Sequence, residues 1–343
     1  MGRLRYIIRT LKRMDKSSAL NTVKAISARS GKSKLLVLMD VIWCGFRYGA
    51  GYTDYFDFYF DLADKQQRDT YVTRGRNNSL IKLLNKSSHR HLFANKDEFN
   101  AIFKDYLGRT WVNMDSVEER DFCSWVEGKH ALIAKPKDKM CGVGIEKLFV
   151  KDYDSCASMF AYLKNKSGYI VEDCLVQHPD LDVLYPGCIN TIRVITVLVD
   201  GAAHVLATYL RIGNGGHVDN FNNGGMMTRV DTDTGKVMFA GVDLANRIYE
   251  MHPITGTGIV GFQVPLWDES LRLTQEAAKL VPEVAYVGWD VAVTPDGPVL
   301  VEGNEFPGHH QHLPEYSPTD RGLMPDFLKL LNDHGILGKR KKL

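Results

Sequence analysis

Gly288–Gly308, GWDVAVTPDGPVLVEGNEFPG, reads as a β-hairpin folded about Pro295-Asp296-Gly297 that carries two acids and an amide. If Thr294 and Pro298 pair across the turn, the register sets Asp290 directly opposite Glu302, with Cβ atoms about 5 Å apart. Side chains alternate faces along a strand, so Asn304 joins Glu302 while Val291, Val293, Val299 and Val301 face a core. Two carboxylates held opposite each other repel and call for a cation between them. An all-oxygen set of two carboxylates and an amide suits Mg²⁺, with Mn²⁺ as a substitute. A solvated acidic face is the competing reading of this segment alone.

The rest of the chain sets the frame for that hairpin. At 343 residues it is too long for one small core and implies two or three lobes. A hydrophobic share of 44%, a charged share of 24% and a net charge of +2 describe an ordinary globular protein, with no global electrostatic case for a nucleic-acid partner. Six cysteines (44, 123, 141, 156, 174, 188) include no C-x-x-C pair, which argues against structural zinc and for reduced, mostly buried thiols. No signal peptide is recognisable, and the longest apolar run, Leu35–Phe46, is broken by Asp40 and too short to span a bilayer, so a cytoplasmic location is expected. Residues 1–16 place Leu4, Ile7, Ile8, Leu11 and Met14 at helical spacing among six basic residues. Such a helix rests either on its own domain or on an anionic membrane surface, the inner face of the membrane in this location.

The organisation follows from local patterns. Residues 1–75 read as a helical, aromatic-rich accessory region, 76–185 as a smaller lobe and 186–343 as a larger lobe holding the hairpin. Asn95 caps a helix with Glu98 three residues on and Phe99, Ile102, Phe103 and Tyr106 on one face, stopped by Gly108. Strands are expected over 131–136, 169–176, 189–199, 204–212 and 236–240, and a further helix over 268–280.

Lys135 closes an apolar strand and is followed by a loop with Gly142 and Gly144. Glycines admit a polyphosphate close to backbone N–H groups, and the lysine supplies a point charge. Arg193 and Arg211 lie within apolar strands, where a guanidinium needs an anion, either a ligand or a structural partner. The stretch 213–225, GNGGHVDNFNNGG, is too polar for a core and reads as a loop over a site.

In this order, a lysine before a helix, a strand lysine with a glycine loop and a terminal acid…E-x-N hairpin resemble the ATP-grasp superfamily. The wording QHPDLDVLYPGCINTIRV, LRIGNGGHVDN, HPITG and GWDVAVTPDGPVLVEGN is closest to its sugar-transfer-associated members, found with bacterial surface-polysaccharide genes. The resemblance covers roughly residues 80–315. It implies an α+β ATP-grasp fold in which two lobes grip ATP, with Lys96 and Lys135 on the nucleotide and Lys86 a rival to Lys96. Gly142 and Gly144 form the phosphate loop, and Glu172 stands near adenine and ribose. Leu175 and Val176 offer backbone groups to the base, and Asp290, Glu302 and Asn304 ligate magnesium. D-alanine:D-alanine ligase and its close relatives carry an arginine two residues before the metal aspartate, where this chain has Gly288, so Arg193 or Arg211 must supply that charge.

The superfamily's usual reaction joins a carboxylate to an amine through an acyl phosphate. A small-molecule carboxylate and an amine or sugar acceptor are therefore the expected partners, with ATP and Mg²⁺ as cofactors. A kinase passing phosphate to a hydroxyl, with Asp219 or His217 as base, is the first alternative. A non-catalytic ATP-binding scaffold for glycosyltransferases is the second. His309, His310 and His312 follow the hairpin as bystanders or proton carriers.

Overall fold

The computed structural model describes residues 16–139, 142–308 and 321–337. The basic stretch up to residue 15, Cys141, the histidines at 309, 310 and 312, and the basic tail from 338 lie outside the described residues. Two compact units form, one of Asn85–Pro307 and one in which Met1–Leu84 join Gly308–Leu343.

Helices α1 (Lys16–Ser30), α2 (Lys34–Tyr48), α3 (Tyr52–Asp57), α4 (Lys65–Thr70) and α5 (Arg74–Leu84) follow one another in the first of these stretches. The Ser33 hydroxyl accepts from Leu36 N–H at the start of α2, and Gly49 ends it at φ +68°, so both termini are set by local residue type. Tyr48, Tyr55, Phe58, Phe60 and Tyr71 form the aromatic core of this unit. Arg68 forks onto both carboxylate oxygens of Asp40 (3.0 and 2.9 Å), which also accepts from Tyr55. The C-terminal helix Met324–Asp333 belongs here too, with Gly322 N–H donating to Thr70 Oγ1 at 2.8 Å.

The Asn85–Pro307 unit opens with α6 (His91–Ala94) and α7 (Lys96–Ile102). The second is shorter than the sequence suggests, because Asn95 turns its amide to the Glu98 carboxylate at 2.8 Å and the chain tightens into a 3₁₀ turn at Lys104–Tyr106. A four-stranded antiparallel sheet follows, of β1 (Trp111–Asn113), β2 (Ala131–Pro136), β3 (Glu146–Phe149) and β4 (Tyr169–Asp173), in the order β1-β4-β2-β3. Helices α8 (Glu119–Val126) and α9 (Cys156–Lys164) bury Phe122, Met159 and Leu163 against Leu132 and Val171 of that sheet. Cys123 and Cys156 are joined in a disulfide between these helices, Cα atoms 5.6 Å apart, which corrects the expectation of reduced thiols throughout. Cysteines 33 residues apart, on two helices packed side by side, leave no spacing signature for such a pair.

The second sheet has seven antiparallel strands: β5 (Ile192–Val199), β6 (Ala202–Ile212), β7 (Met226–Val230), β8 (Gly241–Val242), β9 (Ile248–Tyr249), β10 (Tyr286–Thr294) and β11 (Gly297–Asn304). Their order is β11-β10-β5-β6-β7-β8-β9. The expected strand at 236–240 does not form; Lys236 and Val237 make only isolated bridges to Gln263 and Val230. The strand expected to reach residue 176 stops at Asp173.

The decisive hairpin pairs Asp290 with Glu302, although by another route than the expected one. Thr294 pairs with Gly297 rather than Pro298, a turn one residue tighter. A bulge between Asp290 and Val291 then restores the offset, since one extra residue on β11 reverses the facing of everything beyond it. Val291 and Val293 are buried as expected, whereas Val299 and Val301 stay half-exposed and Leu300 takes the core position.

Candidate active site

Asp290 lies in the middle of a cross-strand row, with Glu302 of β11 on one side and Arg193 of β5 on the other. Opposed residues share a face, so sheet geometry alone brings acid, acid and guanidinium together. Arg193 forks onto Asp290, its Nη2 at 3.0 Å from Oδ2 and its Nε on Oδ1. Arg211 of β6 adds Nη1 at 2.7 Å to Oδ2 and extends Nη2 to Asp219 Oδ1 at 3.0 Å. Burial raises the Asp290 carboxyl, but the two guanidinium groups outweigh it and hold the group below the usual carboxylate range. Glu302 moves the other way, pushed up by burial and by the Asp290 charge, and hydrogen-bonds to Asp290.

Gly288, two residues before Asp290, has a spatial explanation. A Cβ at that position would meet Arg193 Nη1 at 3.1 Å, so the guanidinium of β5 lies over the place from which a residue-288 side chain would extend.

Asn304 stands opposite Gly288, its amide nitrogen donating to Gly288 O at 3.4 Å and to Glu302 Oε1 at 3.3 Å, so its Oδ1 is the atom with lone pairs to offer a cation. The set of Asp290, Glu302 and Asn304 is therefore hard oxygen, the kind that Mg²⁺ takes. Arg211 Nε is buried and has no hydrogen-bond partner among the described residues, a donor open to an acceptor.

Glu302, Gly303, Asn304 and Glu305 form one wall of a cleft whose other wall holds Lys96, Asn100, Lys135, Lys139 and Glu172. Glu172, on β4, is 2% exposed and accepts from Lys135 Nζ (2.6 Å), Arg109 Nε (2.9 Å) and Asn100 Nδ2 (2.9 Å). Burial raises its carboxyl, yet Arg109 and Lys135 together hold it far below the ordinary value. Lys96 donates to Lys139 O at 2.5 Å, and its pKa is lowered by burial, only partly offset by Glu302. Lys86 lies elsewhere, 3.9 Å from Glu283 and 68% exposed.

Other expected residues stand around this centre. Gly142 and Gly144 adopt φ +73° and +78°, and a Cβ on Gly142 would meet Asn223 Nδ2 at 3.3 Å, so the glycine loop touches the Gly/Asn-rich 213–225 stretch. Leu175 and Val176 follow β4 and are not among the residues lining the cleft, and Val176 is 68% exposed. Asp219, considered as a base, is buried and committed to Arg211 and to the N–H and hydroxyl of Thr191.

Arg109 escaped sequence reasoning. Beyond Glu172 it donates to Leu300 O (2.6 Å) and Val301 O (3.1 Å), the two carbonyls at the β11 bulge. Its place after a helix-ending glycine gave no signal. Asn100 was hidden in the same way, within a helix read for its apolar face alone.

Residues 153–315 match the sequence profile of the sugar-transfer associated ATP-grasp family. This is the resemblance that the wording of the chain implied, and the expected mixture of helices and sheets is the architecture observed. No curated protein matches the chain in sequence. Among solved structures, it is similar to the ATP-grasp ligase PsnB complexed with minimal precursor (13% identity, TM-score 0.41, 73% of this chain and 63% of that one). It is also similar to D-alanine–D-alanine ligase from Bacillus anthracis (13%, TM-score 0.37, 76% and 70%) and to an L-amino acid ligase from Bacillus licheniformis (11%, TM-score 0.35, 63% and 41%). The chain spans less than two thirds of PsnB.

Proposed function

We propose that the protein is an ATP- and Mg²⁺-dependent ligase that joins a small-molecule carboxylate to an amine or amino sugar, acting in surface-polysaccharide or related biosynthesis on the cytoplasmic side. The observation that carries this reading is the row Glu302–Asp290–Arg193 with Arg211 beside it, whose Glu302 lines the same cleft as Lys96 and Lys135. Magnesium, held by Asp290, Glu302 and Asn304, would supply neutralisation of the ATP phosphates. Lys96 and Lys135 would bind those phosphates as point charges, with the glycines at 142 and 144 admitting them to the backbone and Leu175 and Val176 meeting the base. Glu172 would sit beside adenine and ribose while anchoring Lys135. Arg193 and Arg211 would steady charge on the transferred group.

In the proposed reaction, a substrate carboxylate oxygen attacks the γ-phosphorus and ADP leaves. The amine then attacks the acyl carbon, inorganic phosphate leaves and one proton is released. Closure of the 213–225 stretch over the glycine loop would exclude water from the acyl phosphate. Asp219 is the weaker base for a kinase because its carboxylate already serves Arg211 and Thr191. The division at residues 76 and 186 into accessory, small and large lobes is part of the same proposal.

The test is ATP turnover by the full chain with Mg²⁺ across pools of carboxylates and amines. ADP with free phosphate supports the ligase, phosphate retained on a hydroxyl acceptor supports the kinase, and no ADP over a broad screen returns the scaffold. Asp290→Asn and Glu302→Gln variants as active as the parent would overturn the metal assignment.

A further inference from the structure

Helix α2 is apolar on both sides. Val37, Cys44 and Tyr48 are buried in its own unit, while Leu35, Leu38, Met39, Ile42, Trp43 and Phe46 are exposed on the opposite side. At about 100° per residue these six fall within an arc of about 140°. Leu35 is 67% exposed, Met39 56% and Trp43 45%. A helix that is hydrophobic all round is normally enclosed, and a contiguous apolar stripe of this size exceeds what a surface leaves to water without a use.

Charge selects the occupant. Residues 1–48 hold eleven Lys or Arg and two Asp, a surplus of nine positive charges, whereas the whole chain is +2, so residues 49–343 are net −7. Lys34 and Arg47 lie exposed at the two ends of the stripe, and Lys24 is exposed on α1. The sole acid of α2, Asp40, is taken by Arg68. A second copy of this chain would set one basic region against another. An anionic bilayer matches both the apolar stripe and its basic surround, and tryptophan and phenylalanine are suited to the boundary between acyl chains and headgroups. At 15 residues α2 is too short to cross, and among the described residues no helix is long and apolar enough to do so.

We propose that the outer face of α2 lies in the surface of an anionic membrane and holds the protein there. The inference is independent of the chemistry at Asp290.

Vesicle co-sedimentation of the full chain tests it, with phosphatidylcholine alone against phosphatidylcholine containing phosphatidylglycerol. The parent should sediment with the anionic vesicles, and less so as salt is raised. A Met39→Gln/Phe46→Gln double variant should bind about tenfold more weakly or worse, with its thermal unfolding unchanged. Equal binding by the variant would overturn the proposal, and so would binding lost on removal of residues 1–15 but kept by the double variant. A parent that ignores vesicles and forms a dimer that the variant dissociates would overturn it in favour of a second copy.

Discussion

Glu172 and Asp290 are both buried carboxylates held by two cationic side chains, and they differ in their third neighbour. For Glu172 it is the Asn100 amide, a donor, so Glu172 with Arg109 and Lys135 is a closed set with one positive charge in excess. For Asp290 it is Glu302, another acid, and with Asp219 on the far side of Arg211 three acids face two arginines. Along the cleft itself, Lys96, Lys135 and Lys139 outnumber Glu172 on one wall, while Glu302 and Glu305 stand on the other. That division suits a ligand that is itself a polyanion bound to a cation, and in the proposed function anchoring falls to Glu172 and chemistry to Asp290.

The largest effect should come from the acid-rich side. Asp290→Asn removes the charge in the centre of the row, and ATP turnover should fall by about 10²-fold or more. A turnover assay at saturating Mg²⁺ checks this, and a variant retaining half the parent rate would dissolve the contrast. Next comes the closed side, where Arg109→Met leaves Glu172 without one cation and uncovers the carbonyls of Leu300 and Val301. Unfolding in urea should show a loss of about 3–5 kcal/mol, and Arg109→Met/Glu172→Gln should recover part of it. A smaller loss, about 1–3 kcal/mol, is expected for Gly108→Ala. Gly108 sits at φ +58°, and a Cβ there would meet Val299 Cγ1 at 2.3 Å, so backbone and β11 both resist the methyl group.

The smallest effect is in the acid limb of stability. The Glu172 carboxyl titrates lower in the folded state than in the unfolded chain, where the ordinary value is 4.5. Its contribution is complete above about 4.5 and is lost as pH falls below it towards the folded value. Melting temperature should thus drop less steeply between pH 5 and pH 3 in Glu172→Gln than in the parent. Parallel slopes would mean that the pair with Arg109 contributes no pH-dependent stability.

What could be read in the chain divides along the same line. The Asp290, Glu302 and Asn304 face was legible because strand alternation is local and the turn at Pro295 marks its centre. The register was reached by assuming a looser turn, which happens to equal a tight turn plus a bulge. Lys135 was legible as a strand-end lysine. Arg109 and Asn100 were not, since their partners, Glu172 and the carbonyls at 300 and 301, lie 63 to 192 residues away. Glu302 opposite Asp290 is a relation across one turn, whereas Arg109 on Val301 joins residues 192 positions apart.

The bulge in β11 also sets a rule of parity for the hairpin. Val301 is the residue that the bulge accommodates, so without it Glu302 would follow Leu300 and still stand opposite Asp290, whereas one residue added between Gly297 and Glu302 would turn Glu302 and Asn304 away unless a second bulge formed. The shared face of Asp290, Glu302 and Asn304 is thus encoded by a count as much as by residue identity, and a chain could keep all three and lose that face by a single inserted codon.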